Sequence, residues 1–237
     1  MRLDKMLSNL GYGTRREIGI YAKRGIITVN GEVIKDASKH INEKEDEIYF
    51  RKDRIIYREF IYIMMNKPQD VVSATTDNRD QTVIDLLDPI YHAFEPFPVG
   101  RLDKDTEGLL IITNDGKLSH ELLSPKKHVP KTYYAQIEGY VDETDVVAFE
   151  KGLILEDGYE CLPGALKIIK SSEISEIELT IMEGKFHQVK RMFEVVNKKV
   201  IYLKRISMGT LILDADLELG AYRELSELEI EALKERE

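Results

Sequence analysis

Pro98-Val99-Gly100-Arg101-Leu102-Asp103-Lys104-Asp105-Thr106-Glu107-Gly108-Leu109-Leu110-Ile111-Ile112-Thr113-Asn114-Asp115-Gly116 is the stretch on which the reading of this sequence turns. Its apolar run, Leu109 to Ile112, has the length of a buried strand and closes on Asn-Asp-Gly, a strong turn signal. The loop before the run starts at a glycine and carries an arginine and three acids. A loop pinned between a glycine and a buried strand holds a carboxylate in place, and Asp103 is the candidate for a reactive one.

Working outward, 237 residues allow one large domain with a small appendage or two modest domains. A hydrophobic content of 43% supports a sizeable core. The lone Cys161 excludes an internal disulfide and suits a reducing compartment. No apolar run has the length of a signal peptide or a membrane span, so a soluble, cytoplasmic protein is expected. The net charge of -9 argues against a phosphate-rich partner until the chain is divided. Residues 1 to 59 hold 13 Lys and Arg against 10 Asp and Glu, a net of +3, leaving -12 for the remainder. That asymmetry fits a basic contact module on an acidic body.

The first segment predicts a small α+β module. Leu3, Met6, Leu7 and Leu10 mark one face of a helix that stops at Gly11 and Gly13. Thr14 and Glu17 have capping-box spacing and open a second helix that stops at Gly25. Ile26 to Val29 reads as a strand, Asn30-Gly31 as a hairpin turn, Val33 and Ile34 as its return, and Glu47 to Phe50 as a later strand. Lys23 and Arg24 suit the dipole at the helix end, whereas Arg15 and Arg16 at its start oppose it. They read either as a solvated turn or as a phosphate-contacting edge.

Arg2-Leu3-Asp4-Lys5, Gly11, Thr14-Arg15-Arg16-Glu17 and Gly25 through Val29-Asn30-Gly31 resemble the S4 RNA-binding domain. The resemblance implies that Lys5, Arg15, Arg16, Lys23 and Arg24 contact RNA, reading phosphates and shape more than sequence.

Arg51 to Phe60 reads as a charged, semi-ordered connector. Beyond it, strands are expected at Ile61 to Met65, Val71 to Ser73, Thr132 to Glu138, Glu176 to Met182 and Val200 to Lys204. Helices are expected at Thr82 to Leu87, Lys117 to Leu123, Glu143 to Gly152 and His187 to Val196. The irregular alternation favours an α+β domain with a mixed, mainly antiparallel sheet.

Three stretches are candidate partners for the loop. Lys131 and Tyr133 share one face of a strand. Glu183-Gly184-Lys185-Phe186-His187-Gln188-Val189-Lys190-Arg191-Met192 joins a strand to a helix across a glycine. Lys204 and Arg205 interrupt an apolar strand. A carboxylate, an aromatic and several cations suit a nucleotide: cations hold phosphate and keep the acid ionised, and the ring offers a stacking face. Each also has a structural reading. An Asp after Leu serves as a turn or helix cap, Tyr133 as an ordinary strand aromatic, and His187 as a polar residue at a helix start. His120, His128 and His187 lack metal-ligand spacing. A nucleophile elbow, a P-loop and a dinucleotide fingerprint are absent, so no metal or other cofactor is expected.

Gly100-Arg101-Leu102-Asp103 with Thr106, Gly108-Leu109-Leu110 and Thr113-Asn114-Asp115-Gly116 closely resembles the signature of the RsuA/RluB/RluE/RluF family of RNA pseudouridine synthases. Asn66-Lys67-Pro68, Lys131-Thr132-Tyr133, Glu183 to Met192 and the region from Leu203 to Leu225 resemble it too, in the family's order. The resemblance implies an S4-like RNA-binding module with linker over 1–59 and a pseudouridine synthase domain over 60–237. It implies isomerisation of uridine to pseudouridine in RNA, with one aspartate, here Asp103, acting on a flipped-out base and no cofactor. Arg101 would hold the displaced strand or fill the vacancy, Tyr133 would stack on the base, and Lys190 would pair with Asp103 more loosely than an arginine. Leu203 and Met208 would wall the pocket, and Arg205 would contact RNA. Asp105 and Glu107 match no catalytic position and read as surface acids. Leu213 to Leu217 and Gly220 to Arg223 resemble the small-subunit branch, implying 16S rRNA as partner of a monomeric enzyme. The same reaction on 23S rRNA, or a non-catalytic assembly factor, are the alternatives.

Overall fold

The computed structural model describes residues 1–43, 45–55 and 57–235. The chain divides into two compact units, one of Met1–Ile61 with Leu87–Pro96 and one of Tyr62–Leu86 with Phe97–Glu237.

In the first unit, α1 (Leu3–Asn9) and α2 (Arg15–Lys23) precede β1 (Ile27–Val29), β2 (Glu32–Val33), β3 (Ile48–Phe50) and β4 (Asp53–Ile55). The short α3 (Pro89–His92) belongs to this unit by its contacts. The capping box at Thr14 forms: its Oγ1 accepts from the Glu17 amide, and Glu17 accepts from the Thr14 amide at 2.8 Å. Such a cap contributes about 1 kcal/mol. Leu3, Met6 and Leu7 of α1 and Ile18 and Ala22 of α2 are buried against Ile27, Val29 and Ile48. The strands form an antiparallel sheet in the order β2-β1-β3-β4.

The connector expected over Arg51 to Phe60 is corrected here. Its start is a hairpin, with Arg51 at φ +59° and β4 returning along β3 through the Ile48–Ile55 pair. Arg51-Lys52 carries neither Asn nor Gly, the usual residues of so tight a turn, so the hairpin left no signal. Ile56, within the same expected connector, lies outside the described residues.

The second unit holds β5 (Tyr62–Lys67), β6 (Phe97–Pro98), β7 (Glu107–Thr113), α4 (Gly116–Leu123), β8 (Lys131–Glu138), α5 (Glu143–Lys151), β9 (Ala165–Lys170), β10 (Ile174–Ile181), α6 (Gln188–Val195), β11 (Lys199–Met208), β12 (Leu211–Ile212), β13 (Tyr222–Glu224) and α7 (Glu227–Lys234). Among the described residues the sheet has nine strands, seven of them in the order β13-β5-β7-β11-β8-β10-β9, with β12 beside β11 and β6 beside β7. The pairs are antiparallel except β7 with β11. This is the mixed, mainly antiparallel α+β architecture that the sequence implies. Every residue of β7 is buried, which explains its unbroken apolar run: a central strand covered on both faces has no polar side to show. β8 instead alternates buried and half-buried positions.

The parallel step between β7 and β11 requires Gly108. It pairs with Arg205 at φ +103°, and a Cβ there would overlap the Arg205 carbonyl oxygen.

Two expected elements are replaced. Val71 to Ser73 is not a strand; Val72 makes only an isolated bridge to Thr82. Thr82 to Leu87 is a turn, not a helix. Its capping signal is real, because Thr82 N and Oγ1 both donate to Asp85, and the Asp85 amide donates back to Thr82 Oγ1. The turn cannot extend, since the residue before Pro89 is forced away from helical geometry, and Asp88 instead caps α3. Among the described residues, no helix is long and apolar enough to cross a membrane.

Candidate active site

The ends of β5 and β7 set the loop that carries Asp103. Lys67, the last residue of β5, is wholly buried. Its Nζ donates to the carbonyl oxygens of Pro68 (2.9 Å), Asp103 (3.1 Å), Lys104 (3.4 Å) and Thr106 (2.9 Å). An ammonium has three protons, so these oxygens share them and the loop wraps around a cation. Burial pulls the Lys67 pKa down to about 8, against the opposing pull of Asp105, Asp103, Glu107 and Asp70. On the other side, Ser73 Oγ donates to the Leu102 carbonyl at 3.0 Å and accepts from the Leu102 amide at 3.1 Å. The Thr106 amide closes a turn onto the Asp103 carbonyl at 3.0 Å. The backbone is thus tied on both sides of Asp103. Gly100 opens the loop at φ +76°, where a Cβ would press on Leu123.

The Asp103 carboxylate itself is half-buried. Lys190 Nζ, from α6, lies 3.2 Å from its Oδ2, and His187 Nε2 lies 3.6 Å from its Oδ1. Lys190 also reaches Asp105 Oδ1 at 2.6 Å. Burial works against the Lys190 charge, but Asp105 and Asp103 outweigh it and raise its pKa. Burial likewise works against the Asp105 charge, and Lys190 more than offsets it, so that carboxyl is lowered.

Asp103 opens onto a cavity lined by Gly100 to Asp103 and Thr106 of the loop, Lys131 and Tyr133 of β8, Leu203 and Arg205 of β11, and Gly184, Lys185 and His187 to Val189 before and in α6. Tyr133 and Arg205 are cross-strand partners and so share a face. Arg205 is 2% exposed and its Nε donates to the Leu109 carbonyl at 2.8 Å. Among the described residues, Arg205 Nη2 and Thr106 Oγ1 are buried without a hydrogen-bond partner.

The turn before α6 is also built firmly. Buried Glu183 accepts from the Tyr159 hydroxyl (2.5 Å), the Leu162 amide (3.0 Å) and Gln188 Nε2 (2.6 Å). That bond to Glu183, with burial, pushes the Tyr159 pKa up to about 12. Gln188 Oε1 accepts from the Lys185 amide at 2.8 Å. Chemically the site offers an anchored carboxylate beside a shared cation, an aromatic ring and an apolar wall.

Residues 61–195 match the family model for RNA pseudouridylate synthase. The chain belongs to the RNA pseudouridine synthases. Residues 1–48 of this synthase match the S4 domain. It is 50% identical over 236 residues to an uncharacterized RNA pseudouridine synthase of Bacillus subtilis (strain 168), covering 99% of each chain. It is 39% identical over 237 residues to ribosomal small subunit pseudouridine synthase A of Haemophilus influenzae, covering 98% of this chain and 99% of that one. A crystal structure of a pseudouridylate synthase superposes with a TM-score of 0.69 at 36% identity, covering 98% and 99% of the two chains.

Of the expected site residues, the structure gathers Asp103, Arg101, Tyr133, Leu203 and Lys190 at this one place. Arg205 departs from expectation: its guanidinium is buried under the cavity, because β11 lies between β7 and β8 in the sheet. Met208 is fully buried in the apolar cluster with Leu109 and Leu118, away from the cavity wall. Glu107 is no surface acid; it is 7% exposed and accepts from the Tyr202 hydroxyl at 2.6 Å. Asp105 is engaged by Lys190.

In the other unit Lys5, Arg15, Arg16, Lys23 and Arg24 are all exposed. Arg15 has a structural partner as well, its Nη2 lying 3.1 Å from both oxygens of buried Asp4, which Arg2 also holds. That pair explains a cation at a helix start without RNA. Reasoning from the sequence missed Lys67 and Thr106 as site residues. The proline after Lys67 and the glycine after Glu107 were visible, but neither signals a buried ammonium.

Proposed function

We propose that this synthase converts a uridine of 16S rRNA in the small ribosomal subunit to pseudouridine, with Asp103 as the catalytic residue. The observation that carries the reading is Asp103 at the mouth of a cavity, its backbone tied by Lys67 and Ser73 and its carboxylate beside Lys190. In the isomerisation the bond from the sugar carbon to N1 breaks, a bond from the same carbon to C5 forms, and a proton leaves C5 while N1 gains one. A carboxylate serves by attacking the sugar carbon or by taking a proton from the sugar.

Asp103 lies in a recess lined by β8, β11 and the turn before α6, so the target uridine leaves its stack to reach it. Tyr133 then offers its ring to the base, and Leu203 closes the apolar side. Arg101, exposed on the loop, takes the space or the phosphate that the flipped nucleotide vacates. Lys5, Arg15, Arg16, Lys23 and Arg24 provide the phosphate contacts of the S4 domain. The small-subunit target is supported by the full-length similarity to the Haemophilus influenzae enzyme.

The test is to map pseudouridines in both rRNAs from cells with the gene, without it, and carrying Asp103→Asn. A 16S site is expected to vanish without the gene and to stay absent with Asp103→Asn. A site restored by Asp103→Asn would overturn the assignment of Asp103. Loss of a 23S site instead would overturn the target.

A further inference from the structure

Phe186 has no task in the reaction as described, yet it is 73% exposed on a turn that the structure holds firmly. Glu183 and Gln188 brace the turn from within. Arg191 donates to the Phe186 carbonyl at 3.5 Å and is itself held by Asp157. His187 sits at φ +49°, a conformation a non-glycine residue adopts at a cost. The ring of Phe186 stacks on the His187 imidazole with centroids 3.8 Å apart and planes at 17°. His187 in turn lines the cavity and faces Asp103. The two rings therefore form a short column that starts at the cavity rim and ends on an open aromatic surface.

We propose that Phe186 and His187 are a stacking platform for the nucleobase adjacent to the target uridine in the RNA strand. The proposal rests on Asp103 marking where the target base is processed. When a nucleotide flips out, its neighbour loses a stacking partner, and single-stranded bases are readily held on aromatic faces. Phe186 supplies such a face one residue along the chain from a cavity-lining side chain. A base resting there holds the strand at the point where it turns into the cavity. Every base has an aromatic face, so the platform fixes the strand's position more than its sequence.

The chain contains no tryptophan, so Phe186→Trp introduces a single fluorescent reporter at the platform. The RNA probe is a 16S rRNA fragment on which the wild-type synthase forms pseudouridine, and binding is followed in an Asp103→Asn background so that no conversion occurs. The fragment is expected to quench the indole. Replacing one nucleotide beside the target by an abasic residue should remove most of the quench and weaken binding about tenfold, whereas uridine monophosphate alone should not quench. In the catalytic background Phe186→Ala should raise KM for the fragment about tenfold with a smaller fall in kcat, and Phe186→Tyr should restore it. A quench that survives abasic replacement on both sides of the target, or an unchanged KM in Phe186→Ala, overturns the platform. Neither result bears on Asp103, whose role is read from activity.

Discussion

Lys190 is bonded to Asp105 at 2.6 Å, closer than the 3.2 Å that separates its Nζ from Asp103. One ammonium therefore serves two carboxylates two residues apart on one loop, and the nearer is not the proposed catalytic one. Asp105 holds the cation where Asp103 can share it.

Removing that cation should affect both acids. Lys190→Met is expected to lower kcat/KM at least about tenfold, the effect of losing roughly 1.4 kcal/mol of charge stabilisation. It should also raise the Asp105 pKa, because the Lys190 bond that offsets burial is gone. Carboxyl NMR titration of wild type and variant reads the second effect directly. For wild type, the raised Lys190 pKa keeps the pair intact below its ordinary value of 10.5 and loses it only as pH rises through the folded value. No basic limb from Lys190 is expected near neutral pH, and one appearing there would contradict the geometry.

Lys67 behaves in the opposite sense. Its folded pKa of about 8 lies below its ordinary 10.5, so between those values the unfolded chain binds more protons than the folded one. Stability contributed through Lys67 should therefore rise as pH climbs through that window. Lys67→Met should show no such rise, and the difference in Tm between wild type and variant should widen with pH. At neutral pH the variant leaves several buried carbonyls without a donor, at a cost of about 2 kcal/mol. Thermal melts across the window check both, and kcat should fall because the backbone around Asp103 is released.

The legible and illegible parts of the chain separate along physical lines. Leu109 to Ile112 was readable because a strand covered on both faces must be apolar throughout. Thr14 with Glu17 was readable because a capping box is local. Lys131 and Tyr133 share a face simply because side chains alternate along a strand. Alternation gives a face but not a depth, so nothing local showed that Arg205, expected to contact RNA, is buried. Its burial follows from the position of β11 between β7 and β8, a non-local fact. Glu107 was misread for a related reason. The strand begins two residues before its apolar run, so an acid that looks like loop surface is already inside the sheet. Asn66-Lys67-Pro68 was visible as a motif, but the task of Lys67 was not, because three of its partners are backbone carbonyls 36 to 39 residues away, which no side-chain pattern encodes.

The Tyr202–Glu107 bond yields a stability prediction. Burial and the neighbouring carboxylate raise the Tyr202 hydroxyl above the ordinary tyrosine range, so it stays a donor to Glu107 at working pH. Tyr202→Phe removes the donor and leaves a buried charge, which should cost about 2 kcal/mol. Combining it with Glu107→Gln should recover part of the loss, since the uncompensated charge is gone. Denaturant melts of the two single variants and the double variant form the cycle, and additive losses would mean that the two groups are not coupled.

Arg15 and Arg16 are neighbours in sequence, and Arg15 has a structural partner, Asp4, beside its proposed RNA contact. Arg15 and Arg2 hold Asp4, whose carboxyl burial alone would raise but which the two arginines lower. The stability from that lowering is present above the ordinary carboxyl value of 3.8 and is lost as pH falls through the folded value. Arg15→Ala should therefore destabilise the chain at neutral pH, by less than about 1 kcal/mol because its guanidinium is exposed, and the difference from wild type should close in acid. Arg16→Ala should leave Tm unchanged and instead reduce the slope of log affinity against log salt by about 0.9, one phosphate contact, in RNA binding. Melts at neutral and acid pH, paired with salt titrations of both variants, separate the hold of Arg15 on Asp4 from the RNA contacts proposed for both arginines. An unchanged slope for Arg16→Ala would remove Arg16 from the RNA contacts while leaving the Asp4 result intact.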